Sequence, residues 1–220
     1  MDIQLSDAEK LYVIHGAQQG IRSDGRGTFD YQPIIVETGV LPTANGSARV
    51  RLGSTDLLIG IKADLVVVDD MSSYSNRLNF SIDCSANATP KFAGMRYLNA
   101  ECLGRGGDEF GVELASALNA AYDNPFVLPD LAKLIVSPMH AWKIYVDIVI
   151  LQFGGNVLDT ASIGVKAALS DTEICEVLVR PGDAGKKVVD ILDENKVWKL
   201  DTSRQALVFI RILIYCNLIS

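Results

Sequence analysis

Metal chemistry has little to work with in this chain, which carries two histidines, His15 and His140, and four cysteines at positions 84, 102, 175 and 216 without a CxxC pair. A zinc site is not expected, and the thiols read as reduced, in the cytosol or nucleus. Positive charge is also scarce: twenty Lys and Arg stand against 27 Asp and Glu, a formal charge of -7. The molecule as a whole repels nucleic acid, so any RNA contact has to be local or shared with a partner. No signal peptide is legible, because Met1 to Lys10 is polar and acidic, and the mature chain is expected to begin near Met1. The most apolar stretch, Ala206 to Ile219, contains Arg211 and falls short of the roughly 20 residues a membrane span needs. Membrane insertion is therefore not expected.

What is present is ordinary globular material: 220 residues, 49% apolar and 7% aromatic, enough for a well-formed core. Ser6-Asp7-Ala8-Glu9 reads as a capping box, and Ala8, Leu11, Tyr12 and His15 follow at helical spacing. Three strands follow, Ile34 to Thr38, Ser47 to Leu52 and Asp56 to Ala63, separated by Pro-, Asn- and Gly-bearing turns that predict an antiparallel meander. Val66 to Arg77 reads as a loop and Leu78 to Cys84 as a fourth strand. Asp108 is placed to cap a helix with an apolar stripe of Phe110, Leu114, Ala117, Leu118 and Ala121, ended by Asp123-Asn124-Pro125. Leu134 to Val136 and Trp142 to Phe153 read as further strands. The second is apolar on both faces apart from Lys143, Asp147 and Gln152, the pattern of a central strand covered on both sides. Leu158, Ala161, Val165 and Leu169 mark another helix, and Gly182 to Lys187 a turn-rich loop. Strands followed by helices, twice over, indicate an α+β, two-layer fold.

Six groups of residues invite a functional reading, each beside a structural one. Gly154-Gly155-Asn156-Val157 joins a strand to a helix N-terminus, where backbone N–H groups and the helix dipole favour an anion. A site for attacking phosphate also wants a hydroxyl and a guanidinium, and Val157 supplies neither; glycines also serve simply to turn a strand into a helix. Arg22 and Arg26 flank Asp24-Gly25, either as an arginine pair facing RNA or a subunit, or as a turn in which Asp24 pairs with an arginine. Arg105, in Gly104-Arg105-Gly106-Gly107-Asp108, precedes a helix and could reach a phosphate, but the P-loop lysine and spacing are missing. Arg49 and Arg51 alternate on one strand face, as a solvated face or a basic strip. Asp147 reads as a buried acid of raised pKa or one satisfied by a cation, and Ser137 with His140 lacks the acid of a hydrolase triad.

Several of these pieces occur together in one family. Ser6-Asp7-Ala8-Glu9-Lys10, Arg22 with Asp24-Gly25-Arg26, Gly46-Ser47-Ala48-Arg49-Val50, Gly53 with Thr55-Asp56, and Asp83-Cys84-Ser85-Ala86 with Ala88-Thr89-Pro90 resemble the RNase PH family. Together with Gly104 to Asp108 and Gly154 to Asp159, they are similar to its exosome ring subunits over roughly residues 1–200. The resemblance implies an RNase PH fold, ribosomal protein S5 domain 2-like, over 1–204, with 205–220 a divergent apolar tail. It implies a place in a hexameric ring with other RNase PH-type subunits and cap subunits, acting on RNA without a cofactor or metal, in nucleus, nucleolus and cytoplasm.

Catalytic members carry Ser or Thr followed by Arg after the paired glycines; the matching positions here are Asn156 and Val157. The resemblance therefore implies a non-catalytic, RNA-path-lining subunit, with no catalytic residue assigned and Arg22, Arg26, Arg49 and Arg105 as RNA contacts. Gly154, Gly155, Asn156 and Val157 form its degenerate phosphate site. The alternative is a phosphorolytic 3′-to-5′ exoribonuclease; a small-molecule kinase has no nucleotide loop to support it. Two stretches depart from the family pattern: Met95 to Leu103 looks inserted, and Gln205 to Ser220 does not resemble the family's continuation, in or near which the catalytic aspartates of active members lie. The expected fold is thus incomplete at its C-terminal side, as in an isoform or gene-model product, with exposed sheet edges that impair ring assembly.

Overall fold

The computed structural model describes residues 6–22, 24–27, 30–68, 77–85, 88, 105–124, 126–181, 187–191 and 196–203, with the side chains of 105–108, 181, 187, 188 and 191 left aside. The expected insertion at Met95 to Leu103 and the divergent tail from Gln205 lie outside these residues. Residues up to Pro33 belong to one compact unit, and a second begins at Ile34. In the first, α1 (Asp7–Gln18) starts at the expected capping box. Ser6 Oγ accepts the Glu9 N–H, and the Glu9 carboxylate accepts the Ser6 N–H at 2.7 Å. None of its residues is buried.

The second unit is built on one sheet of order β1-β2-β3-β6-β4. Its strands are β1 (Ile34–Thr38), β2 (Gly46–Leu52), β3 (Thr55–Val67), β4 (Leu78–Cys84) and β6 (His140–Gln152), with β5 (Ile135–Ser137) paired to the start of β6. The first three form the expected antiparallel meander, while β4 runs parallel to β6. β3 is longer than expected and takes in Val66 and Val67, because its pairing with β6 continues as far as Val67 opposite His140.

β6 is central, as its composition suggests, but only one of its faces is covered. Trp142, Ile144, Val146, Ile148 and Ile150 are buried, paired in register with buried residues of β3 such as Leu57, Ile59 and Ile61. On the other face Lys143, Tyr145 and Val149 are half-buried and Asp147 is exposed. The expectation of a strand covered on both sides is thereby corrected, and so is that of a buried Asp147. Both helices lie on the same side, because that is where the strands' uninterrupted apolar rows point.

α2 (Arg105–Tyr122) packs against β4, and α3 (Val157–Asp171) against β2 and β3. α2 starts before the expected Asp108 cap, so Asp108 lies inside the helix. Its buried row is Gly111, Leu114, Leu118 and Tyr122, whereas Ala117, expected in the stripe, is exposed. Gly111 is needed there because a Cβ would stand 2.9 Å from the Ile82 carbonyl oxygen. The buried Tyr122 hydroxyl lies 3.0 Å from the Ser162 carbonyl oxygen and 2.8 Å from its Oγ, tying α2 to α3 beneath the sheet. Beyond α3, β7 (Glu173–Cys175) pairs with β10 (Val197–Lys199), and β8 (Val177–Pro181) with β9 (Lys187–Ile191); of the turn-rich loop expected at Gly182 to Lys187, residues 182–186 lie outside the described set and Lys187 opens β9.

Candidate functional site

The paired glycines sit where three elements converge: the end of β6, the start of α3, and the turn between β2 and β3. Thr55, at the start of β3 and 1% exposed, holds them in place. Its Oγ1 accepts the Gly154 N–H at 3.1 Å and donates to the Gly155 carbonyl oxygen. Gly154 is pressed against Ser54, leaving no room for a Cβ, and Gly155 takes φ +98°, which only glycine adopts without strain. One N–H of the supposed phosphate cradle is thus already bonded to protein. Replacing Thr55 by valine is expected to leave both backbone groups without their partner and to cost about 1–3 kcal/mol. Urea melts would check this, with Thr55→Ser keeping most of the stability.

Asn156 also has a left-handed backbone, φ 52°, and its side chain makes no capping bond to α3. Its amide is exposed and neutral. Val157 points the other way: it is 4% exposed and belongs to the hydrophobic core. Gly154, Gly155, Asn156 and Val157 therefore present a helix N-terminus and an amide to solvent, with no hydroxyl or cation among the four, and the buried carboxyl group of Asp159 lies in the first turn of the same helix. This arrangement can attract an anion weakly, but it has no group to chelate or activate one.

The four candidate arginines divide between different places. Arg22 and Arg26 belong to the N-terminal unit, in a turn closed by the Arg22 N–H donating to the Arg26 carbonyl oxygen at 2.9 Å. Arg26 is engaged by Asp24, Nη2 to Oδ2 2.6 Å, and its Nη1 donates to the Asp30 carbonyl oxygen at 3.2 Å. That ion pair holds the Asp24 carboxyl below its ordinary pKa. Arg105 opens α2, and its side chain lies outside the described set.

Arg49 lies on the uncovered sheet face and is clamped by Asp56 through two bonds, Nε–Oδ1 3.1 Å and Nη2–Oδ2 2.7 Å. Arg51 touches the same carboxylate only through Nε, at 3.2 Å, and is the more exposed of the two. Sequence periodicity pairs Arg49 with Arg51, but the carboxylate makes them unequal: it holds Arg49 through two nitrogens and Arg51 through Nε alone. Asp56, two residues beyond the turn, was the signal that separates them.

Arg49 chiefly, and Arg51 after it, hold the Asp56 carboxyl below its usual pKa. The folded state therefore binds fewer protons here than the unfolded one, whose carboxyl titrates near about 3.9. The contribution is present above that pH and disappears as pH falls through the lower, folded value. Melts recorded downward from pH 5 should fall off less steeply for Asp56→Asn than for the parent.

Ser137 Oγ and His140 Nδ1 do meet, 3.0 Å apart across the β5–β6 turn, but Ser137 Oγ also accepts the Met139 N–H. This is turn geometry, and among the described residues no carboxylate hydrogen-bonds the imidazole. Burial raises the pKa of Asp123, at the end of α2, against an opposing effect of Arg77. Among the described residues no group of three His, Cys, Asp or Glu side chains could hold a metal ion.

The 3′ exoribonuclease family, domain 1 (RNase PH), matches residues 30–175. The chain is 31% identical to the exosome complex component Rrp42 of Methanopyrus kandleri, over 94% of its own length and 70% of that relative's. It is 32% identical to the Rrp42 component of Sulfurisphaera tokodaii, over 86% of its own length and 63% of the relative's. It thus spans rather less than two thirds of some of its relatives. Its fold resembles a chain of the Archaeoglobus fulgidus exosome with RNA bound to the active site, TM-score 0.61 at 22% identity, covering 84% of this chain and 76% of that one. An archaeal exosome core gives TM-score 0.57 at 23% identity, with coverages of 84% and 73%. The meander, the parallel fourth strand and the two helices on one sheet face are accordingly those of a known family, and the chain belongs to the RNase PH family of 3′ exoribonucleases.

Proposed function

We propose that this chain is a non-catalytic structural subunit of an exosome ring, which lines the RNA path and supports 3′-to-5′ RNA processing and decay, including rRNA maturation and mRNA turnover. The observation that carries the non-catalytic part is the turn after β6. Asn156 offers only an amide, and Val157, at the position where catalytic relatives are expected to carry arginine, is packed in the core. Similarity to exosome components supports the ring. Its partners are then other RNase PH-type ring subunits, cap subunits and RNA, and its compartments nucleus, nucleolus and cytoplasm.

RNA binding in this reading comes from weak phosphate contacts shared among subunits, so affinity falls steeply with salt. Arg22, Arg26 and Arg105 remain candidate contacts, and on this sheet Arg51 replaces Arg49 as the better placed cation. The deciding experiment incubates the purified chain, alone, with 3′-labelled RNA and inorganic phosphate. The expected result is no phosphate-dependent release of nucleoside diphosphate. Release that is abolished when phosphate is withheld would establish the phosphorolytic alternative instead.

A further inference from the structure

The chain contains a single Asn-Gly pair, Asn45-Gly46, at the turn into β2. In such a pair the backbone nitrogen of the glycine can attack the asparagine's amide carbon, because glycine has no side chain to obstruct the approach. Here the fold holds that amide at both ends. Its Oδ1 accepts the Ala63 N–H of β3 at 3.0 Å, and its Nδ2 donates to the Glu173 carbonyl oxygen, at the start of β7, at 3.1 Å. The Asn45 backbone is bonded to the same two segments: its N–H donates to the Ile61 carbonyl oxygen and its carbonyl oxygen accepts the Glu173 N–H, each at 2.9 Å. Asn45 is thus a link between the main sheet and the β7–β10 ladder. While both segments hold the side chain, its amide carbon cannot turn onto the Gly46 nitrogen.

We propose that Asn45-Gly46 is a deamidation site gated by β7, protected while β7 is docked and converted when it opens. The Gly46 nitrogen bonds to Asn45 Cγ, the Cγ–Nδ2 bond breaks, and Nδ2 leaves as ammonia with the proton the Gly46 nitrogen gave up. Water then adds to either carbonyl carbon of the resulting cyclic imide and breaks that carbon's bond to nitrogen, which regains a proton. One water is consumed and one ammonia released, with no oxidation or reduction. Opening at Cγ gives aspartate; opening at the main-chain carbonyl gives isoaspartate, whose main chain is longer by one methylene. β7 is suited to be the gate, because among the described residues its three-residue ladder with β10 is its whole sheet, and short peripheral ladders open at low cost. The product cannot close it again. An aspartate still accepts the Ala63 N–H, but its other oxygen faces the Glu173 carbonyl oxygen, acceptor against acceptor. Isoaspartate in addition shifts β2 along β3. Conversion therefore traps β7 undocked.

The test incubates the purified full chain in heavy-oxygen water at mildly alkaline pH, folded or in urea, and follows label uptake at residue 45 by peptide mass mapping. Conversion is expected to be at least about tenfold slower in the folded chain. Ile174→Val trims a fully buried β7 side chain and should speed it about threefold, whereas Ile148→Val, equally buried in β6, should change it little. Circular dichroism checks that both variants are folded. Asn45→Asp, which carries the product side chain from the start, should lose hydrogen-exchange protection at 173–175 and keep it at 57–61. Equal rates folded and in urea, or no conversion in either, would overturn the proposal. Equal acceleration by the two valine variants would overturn β7 as the gate in favour of global unfolding. Parent-like protection of 173–175 in Asn45→Asp would overturn the trapping.

Discussion

Substituting Val157 by arginine is expected to lower stability by about 3–5 kcal/mol, the range for a charge buried without a partner, rather than to create a phosphate site. The position is 4% exposed, in the first turn of α3, and its side chain belongs to the core. A guanidinium there either stays buried, unpaired, or pulls the turn away from the sheet to reach water. The second route breaks what Thr55 holds, because Gly154 and Gly155 lie only three and two residues before the start of α3. Adding Asn156→Ser, which restores the hydroxyl expected in catalytic members, should not rescue phosphate binding. Chemical denaturation of Val157→Arg and phosphate titration of the double variant are the measurements. Parent-like stability together with phosphate affinity would mean that the site is two substitutions from function, and the degenerate reading would be lost.

Gly46→Val should cost about 3 kcal/mol or more, at or above the upper part of the range for overpacking. Gly46 opens β2 directly beneath the end of α3. A Cβ there meets the Thr172 hydroxyl and stands 2.7 Å from both the Ala168 carbonyl oxygen and Thr172 Cα. Two of these atoms are backbone, so no rotamer change relieves the contact; α3 has to lift. The same junction is held by the Asp171 carboxylate, which accepts the Gly39 and Ser47 N–H groups at 3.2 Å each, so lifting the helix also strips those bonds. Urea melts decide it: a loss under 1 kcal/mol would show that the helix end yields more easily than this packing implies.

Much of the fold was legible in the chain. β4 begins and ends where its alternation does, and the meander follows from apolar rows interrupted by turn residues, because strand periodicity is a local property. The coverage of β6 was not legible. Its second face carries Val149 and Leu151, apolar in sequence yet half-buried and exposed in the structure, and composition does not say which apolar row finds a helix. α2 likewise starts earlier than Asp108 suggests, since the burial of Leu114, Leu118 and Tyr122 outweighs the modest helix penalty of Gly106 and Gly107.

The site divides in the same way. The identity of the residues after the paired glycines is a matter of sequence, and it excludes a hydroxyl and a guanidinium at 156 and 157 before any coordinates are known. That Val157 faces the core, that Thr55 occupies the cradle's first N–H, that Asp56 takes Arg49 and leaves Arg51 freer, and that β1 ends the sheet of the described residues were decided by tertiary structure alone. Each depends on which surfaces of distant segments meet: Thr55 and Gly154 are 99 residues apart in the chain and in hydrogen-bond contact in the fold. Periodicity can assign a residue to a face, but only packing decides what that face touches.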